Sequence, residues 1–406
     1  MDIKGRNMES IKIINRGEIL KILYNNGQMS RKRIAELIGL TSAAITVNVK
    51  EMIEEGLIVE IGEVEDTKRA GRKEINIDIN YKYKYVIGVC IEQPDIIITL
   101  GRLNLDIVDV YRVPVQKGVG YRKAIEIIKD GISIILNRNS IERKDILGVG
   151  VGVIGEVDST LGVSKNSFGI IEKNVPIKEE LEKSLNMKVY IDNNVRTLAL
   201  GEILSSRDNS NNESLLFIKY GFGVGSAIII DNKIYSGNNN KAGEIGHTIV
   251  YPDGLECRCG KQGCLETIAS MWVVVDRLQK IYSKDKTPIL YEITSGNIYD
   301  INKDTVLVAY ELKDDLVVGV VDEALYYFCL SLENYISLFD PSRIILYGSM
   351  FEKDIIIEKI KNIFVEKIKD DAVIEKLQRS KNNGQLEKIG PISIVVDRFI
   401  SNGGYL

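Results

Sequence analysis

"GEIGHTIVYPDGLECRCGKQGCLE", residues 243–266, holds the one histidine of the 406-residue chain, His247, and three of its five cysteines, Cys257, Cys259 and Cys264. A chain that otherwise avoids both residue types places four of them within eighteen positions. An odd number of cysteines with three clustered fits a metal site in a reducing compartment better than a disulfide framework. The two remaining cysteines, Cys90 and Cys329, stand in apolar surroundings and read as small buried hydrophobes.

Around this stretch the composition is that of a folded protein of two or three domains, with 45% apolar and 7% aromatic residues. No apolar run approaches the roughly 18 residues needed to span a bilayer, and the N-terminus is too polar for a signal peptide. A cytoplasmic protein with no membrane partner is expected. The net charge of −4 argues against an extended nucleic-acid surface, and residues 1–80 are neutral, with thirteen basic and thirteen acidic side chains. Contact with DNA must therefore come from local clusters: Arg31, Lys32 and Arg33, then Lys68, Arg69, Arg72 and Lys73. Alone, such runs are solvated surface more often than binding sites.

Their context changes that reading. Ile19, Ile22 and Leu23 mark a first helix that stops at Asn25-Asn26-Gly27. Ser30 caps a second helix carrying Ile34, Leu37 and Ile38 inward and ending at Gly39, and Thr41 opens a third. The third helix turns Ile45, Val49, Met52 and Ile53 inward. It leaves Ser42, Ala43, Thr46, Val47 and Lys50 on a small, polar face of the kind that enters a major groove. Two strands joined by the basic loop "KRAGRK" follow. The pattern is a winged helix-turn-helix over residues 1–80, with Arg31 and Arg33 beside phosphates and Arg69 and Arg72 of the wing on backbone or minor groove. A small helical protein-interaction domain is the alternative.

From residue 84 strands and helices alternate. A three-strand meander, a helix over about 121–138 and the strand "ILGVGVGVIG" are echoed further on by two glycine-hinged strands in "SLLFIKYGFGVGSAIII" and a long helix before "PSRIILYGS". Two α/β halves suggest two lobes around a ligand cleft. The 243–266 stretch fits the pattern G-E-x-G-H…C-x-C-G-x-x-G-C-x-E and resembles the ROK family (repressor, open reading frame, kinase). A winged helix ahead of such a domain resembles the family's repressor branch. The resemblance implies an α/β fold: an N-terminal winged helix-turn-helix followed, over 84–406, by a two-lobed actin/hexokinase-like domain with a structural zinc loop.

His247, Cys257, Cys259 and Cys264 then form a tetrahedral Zn2+ set in which Gly260 and Gly263 allow the tight turns. Four protein ligands leave no open position, so the metal is structural. The resemblance also implies sugar contacts from Glu244, His247 and Glu266. It assigns further contacts to Asn193 and Asn194 of "DNNVR", which stands where the family has Glu-Asn-Asp-Ala-Asn. The kinase branch's general-base aspartate falls on Asn194, and an amide cannot accept the proton. Three nucleotide-handling positions also depart from that branch: Cys90 replaces an aspartate, Phe222 a hydroxyl residue between Gly221 and Gly223, and Tyr347 a glycine before Gly348. The expected protein is not an enzyme. It is a sugar-responsive repressor, a homodimer or higher oligomer on a palindromic operator, similar to the xylose repressors of Firmicutes. Xylose is the first expectation for the effector, glucose or N-acetylglucosamine the next. A sugar kinase, or a repressor regulated by a phosphotransferase protein, is the alternative.

Overall fold

The computed structural model describes residues 8–63, 74–116, 118–207, 213–382 and 384–406. Two compact units divide the chain: Met1–Ser210 with Gln385–Leu406, and Asn211–Gly384. The first begins with the three expected helices, α1 (Met8–Asn26), then the two-residue strand β1 (Met29–Ser30), α2 (Arg31–Ile38) and α3 (Ser42–Glu54). Their caps are those the sequence announced. Ser30 Oγ accepts from Arg33 N at 3.2 Å, Gly39 takes the left-handed conformation that ends α2, and Thr41 Oγ1 accepts from Ala44 N at 3.2 Å. Ile19, Leu23, Ile34, Ile45, Val49 and Met52 are buried together, each side chain contributing about 1.5–3 kcal/mol.

Two expectations for these helices need correction. Leu37 is exposed, because α2 is only two turns long and Ile34 and Ala35 already fill its inner side. Ile53 is half-buried, and Asn48 lies inward instead, its Nδ2 donating to Ala44 O at 2.8 Å. The wing strands β2 (Ile58–Glu63) and β3 (Ile75–Ile79) pair antiparallel, and β1 joins the free side of β3. The loop between β2 and β3, with Lys68, Arg69, Arg72 and Lys73, lies outside the described residues.

The meander follows as β4 (Tyr85–Ile91), β5 (Asp95–Arg102) and β6 (Ile107–Pro114), then α4 (Tyr121–Arg138) and β7 (Ile146–Val153) parallel to β4. A small hairpin, β8 (Glu156–Asp158) with β9 (Val163–Asn166), precedes α5 (Ile177–Leu185). The strand β10 (Val189–Asn193) then runs straight into α6 (Asn194–Ser206). The sheet order is β10-β7-β4-β5-β6. Its inner strands are continuous apolar runs, as strands covered on both faces must be.

The second unit repeats the pattern. Here β11 (Ser214–Tyr220), β12 (Val224–Ile230) and β13 (Lys233–Tyr235) form the meander, one strand more than the sequence led us to expect. Short α7 (Glu266–Ala269), α8 (Met271–Ile281), α9 (Pro288–Ile293), α10 (Lys303–Glu311) and the 25-residue α11 (Asp315–Phe339) follow. Then β14 (Arg343–Tyr347) runs parallel to β11; α12 (Asp354–Ile363), α13 (Val373–Lys376) and β15 (Leu377–Arg379) complete the order β13-β12-β11-β14-β15.

The last helix, α14 (Leu386–Ser401), belongs to the first unit. It lies on β4 and β7, which explains the glycines of "LGVGVGV": a Cβ on Gly150 would stand 1.8 Å from Pro391 O. Cys90 and Cys329 are buried as expected. Among the described residues no helix is long and apolar enough to cross a membrane.

Candidate functional site

The residues expected to read DNA sit on α3. Ser42, Ala43, Thr46, Val47 and Lys50 are all exposed, Val47 at 60%. Thr46 Oγ1 donates to Ser42 O at 2.7 Å, and Lys50 reaches Glu54 only loosely at 3.8 Å. Such an exposed face of small and polar side chains is compatible with base edges. The basic residues of α2 differ from one another. Arg33 is exposed in a surface pair with Glu36, whereas Arg31 is half-buried and held by Glu60 of β2 at 2.7 Å.

In the second unit a short turn at Ile245–His247 and the loop before α7 bring four ligand atoms within 4.8 Å of one another, from His247, Cys257, Cys259 and Cys264. Cys257 Sγ lies 3.6 Å from His247 Nδ1, and Cys259 Sγ lies 3.6 Å from Cys264 Sγ. Tetrahedral zinc with Zn–S near 2.3 Å and Zn–N near 2.0–2.1 Å needs edges of roughly 3.6–3.8 Å. The four residues therefore could hold a metal ion with little rearrangement. Backbone pairing fixes them: Ile249 bridges Cys264, Glu256 bridges Gln262, and Leu265 N donates to Thr248 O at 2.9 Å. Burial pushes the Cys257 and Cys264 thiols up.

Glu266 opens α7 directly behind the last cysteine. Its carboxylate is buried against Gly246 and Gly223; burial pushes its pKa up, and the guanidinium of Arg258 at 3.2 Å pulls the other way. Sequence reasoning passed over Arg258 and Trp272. Arg258 sits between Cys257 and Cys259 and also covers the ring of Trp272 at 5.3 Å, so it bridges cysteine loop, carboxylate and indole. Its place inside C-x-C was the available signal. Glu244 lies by Tyr335 of α11, whose hydroxyl is pushed up to about 12 by burial and then by that carboxylate.

Asn193 and Asn194 belong to the first unit. Asn193 caps α6: its Oδ1 accepts from Val195 N at 2.8 Å and Arg196 N at 3.2 Å, while Nδ2 donates to Gly155 O at 2.7 Å. Only one N–H of that amide remains for a ligand. Asn194 is buried, and its Nδ2 donates to Glu92 Oε2 at 3.2 Å. Glu92, in the turn after β4, is a third residue the sequence did not single out.

A winged helix, twin meander-plus-parallel sheets and a Cys3His loop together define a DNA-reading head on an actin/hexokinase-like body. The chain belongs to the ROK family, whose profile matches residues 86–394, and a winged helix-turn-helix DNA-binding profile matches residues 14–59. It is 26% identical over 380 residues to a xylose repressor of Caldicellulosiruptor bescii, covering 90% of this chain and 94% of that one. It is 30% identical over 267 residues to a glucokinase of Halalkalibacterium halodurans, covering 64% of this chain and 78% of the enzyme. In structure it matches a ROK family transcriptional regulator homologous to the Escherichia coli MLC protein. The TM-score is 0.76 at 22% identity over 97% of this chain and 98% of that one, a likeness of fold.

Proposed function

We propose that the protein is a transcriptional repressor that binds operator DNA as a homodimer and releases it on binding a sugar, with xylose as the effector. One observation carries the reading: an exposed reading helix shares a compact unit with the helix that starts at the sugar motif, in a chain that resembles a xylose repressor along nearly its whole length. One winged helix covers a half-site, and a two-fold protein matches a palindrome. In the second unit Glu244, His247 and Glu266 would contact the sugar, and in the first Asn194 and the remaining N–H of Asn193. Zn2+ on His247 and the three cysteines would supply a fixed scaffold, with no open coordination site for chemistry. The proposed contacts from Arg69 and Arg72 of the wing complete the DNA surface.

The kinship with a glucokinase makes a sugar kinase the second reading. Against it, Asn194 offers an amide where a general base is needed, and Glu92 adds a carboxylate to the turn that by family resemblance would cradle phosphate. Calorimetry with xylose, glucose and N-acetylglucosamine, operator titration at each sugar, and ADP release with ATP present decide between them. Tight xylose binding that loosens DNA without turnover is the expected result; ADP release at a kinase's rate would establish the other.

A further inference from the structure

Arg16, in the middle of α1, is the largest wholly buried side chain among the described residues, and neither DNA, metal nor sugar contact uses it. A buried guanidinium is costly unless nearly all its donors are matched. Here they are matched from two directions. Nη1 donates to Glu55 Oε1 at 2.8 Å and Nη2 to the other oxygen of the same carboxylate, at the C-cap of the reading helix α3. Nε donates to Gly403 O at 2.8 Å, and the guanidinium faces the ring of Tyr405 at 4.5 Å, both in the tail that follows α14. A single side chain thus fastens the reading helix to the end of α14.

At its other end α14 is pressed on α6, backbone against backbone. A Cβ on Gly390 would stand 2.8 Å from Thr197 O, and one on Gly201 would stand 3.0 Å from Gly390 Cα. Helices packed with no room for a Cβ at either glycine have little space to slide past one another. The helix α6 begins at Asn194 and is capped by Asn193. Just past its last turn, Arg207 lies 5.6 and 5.7 Å from the rings of Tyr24 on α1 and Tyr81 after β3. Arg16 and Tyr24 are about 12 Å apart along α1, so the joined pair holds that helix at two separated points, the α14 tail at Arg16 and the end of α6 at Tyr24, and a common shift of the pair acts on α1 at both.

We infer that Arg16 is the positioning residue through which sugar binding at the start of α6 reorients the reading helix, with the α6–α14 pair and the Gly403–Tyr405 tail as the moving body. The choice of sugar as effector rests on the proposed function; the mechanical link does not. Two variants separate the link from the fold: full-length Arg16→Lys, which keeps the charge but not the two-sided hydrogen bonding, and a chain shortened to end at Asn402. Both are compared with the parent on a duplex selected by the parent from a random-sequence pool, with and without saturating D-xylose. Sugar affinity and sugar-free DNA affinity are expected to stay within about threefold. The loosening of DNA by xylose should shrink by tenfold or more in both, and its survival undiminished in both overturns the inference.

An arm without sugar uses amide hydrogen exchange. The duplex should slow exchange over residues 396–406 in the parent but not in Arg16→Lys, and no such slowing in the parent also overturns it. Slowing in a parent that ignores xylose would retain the link and discard xylose as the effector. Should Arg16→Lys fail to fold, Arg207→Ala, at the exposed second contact, reads the same ratio and is expected to lower it.

Discussion

Two glycines of the metal loop allow a prediction with an internal control. Gly260 and Gly263 both have positive φ, +90° and +73°, so alanine at either carries the left-handed penalty of about 1–2 kcal/mol. Their surroundings differ. Nothing lies within 4 Å of a Cβ on Gly260, whereas one on Gly263 would stand 1.7 Å from Tyr251 O, well inside the 3.0 Å that real contacts respect. Relieving that overlap takes a backbone shift of about 1 Å. It also strains the bonds from Gly263 N to Leu255 O at 2.9 Å and from Val250 N to Gly263 O at 2.9 Å. Cys264 is the next residue, and metal ligands tolerate displacements of only about 0.2 Å. Gly260→Ala should therefore keep one zinc per chain with affinity lowered roughly 5- to 30-fold, the equivalent of its strain. Gly263→Ala should lose the metal outright. Metal content of dialysed full-length protein by mass spectrometry, with competition by a chromogenic chelator, measures both. Full zinc occupancy at parental affinity in Gly263→Ala would refute the geometry, as would equal loss in the two variants.

Other outcomes follow from the remaining surfaces. Thr46→Ala and Lys50→Ala should change which sequences are preferred, while Arg33→Ala should weaken all sequences alike and flatten the salt slope by about one; identical behaviour of all three in salt titrations removes α3 as the reader. Glu244→Ala should hold operator at xylose concentrations that release the parent, and release at the parental concentration places the effector site elsewhere. Arg258→Ala should weaken xylose binding and shift the emission of Trp272, the chain's single tryptophan, and an unchanged spectrum with unchanged affinity excludes Arg258 from the site. The hydrogen bond from Arg16 holds Glu55 below its ordinary 4.5. A depressed carboxylate stabilises fully above its unfolded value and loses that contribution as pH falls through the folded one. Thermal unfolding between pH 5 and 3 should consequently decline less steeply for Glu55→Gln than for the parent; parallel curves would mean the pair adds nothing.

Most of the local architecture was written in short-range chemistry. Ser30, Gly39 and Thr41 act on their own helix ends, so their roles survive folding unchanged, and close spacing in sequence gathers His247 and the three cysteines into one cluster. What escaped is non-local. Asn48 alternates with apolar residues on a helix too short to declare which face its flanks will take. Leu37 meets solvent because α2 has little surface to share. Arg16 reads as an ordinary polar residue until the tail beyond residue 400 folds back, across 387 positions of sequence, to meet it. The same holds for Glu92 and Asn194, which are 102 positions apart. The capping role of Asn193 was hidden by its membership of a motif that draws attention to ligand binding.

The return of α14 to the first unit sets an order of events during synthesis. The winged helix is made before the second unit, yet the strands around Gly150 lack their covering helix, and Arg16 lacks Gly403 and Tyr405, until residues 211–384 have also been made. At about 5–20 residues per second that delay is roughly ten to thirty-five seconds. A nascent chain thus owns its helix-turn-helix well before it owns the tail that meets Arg16. Ribosomes stalled within the second unit would leave truncated products whose Arg16 keeps Glu55 but lacks Gly403 and Tyr405, a buried guanidinium only half-matched.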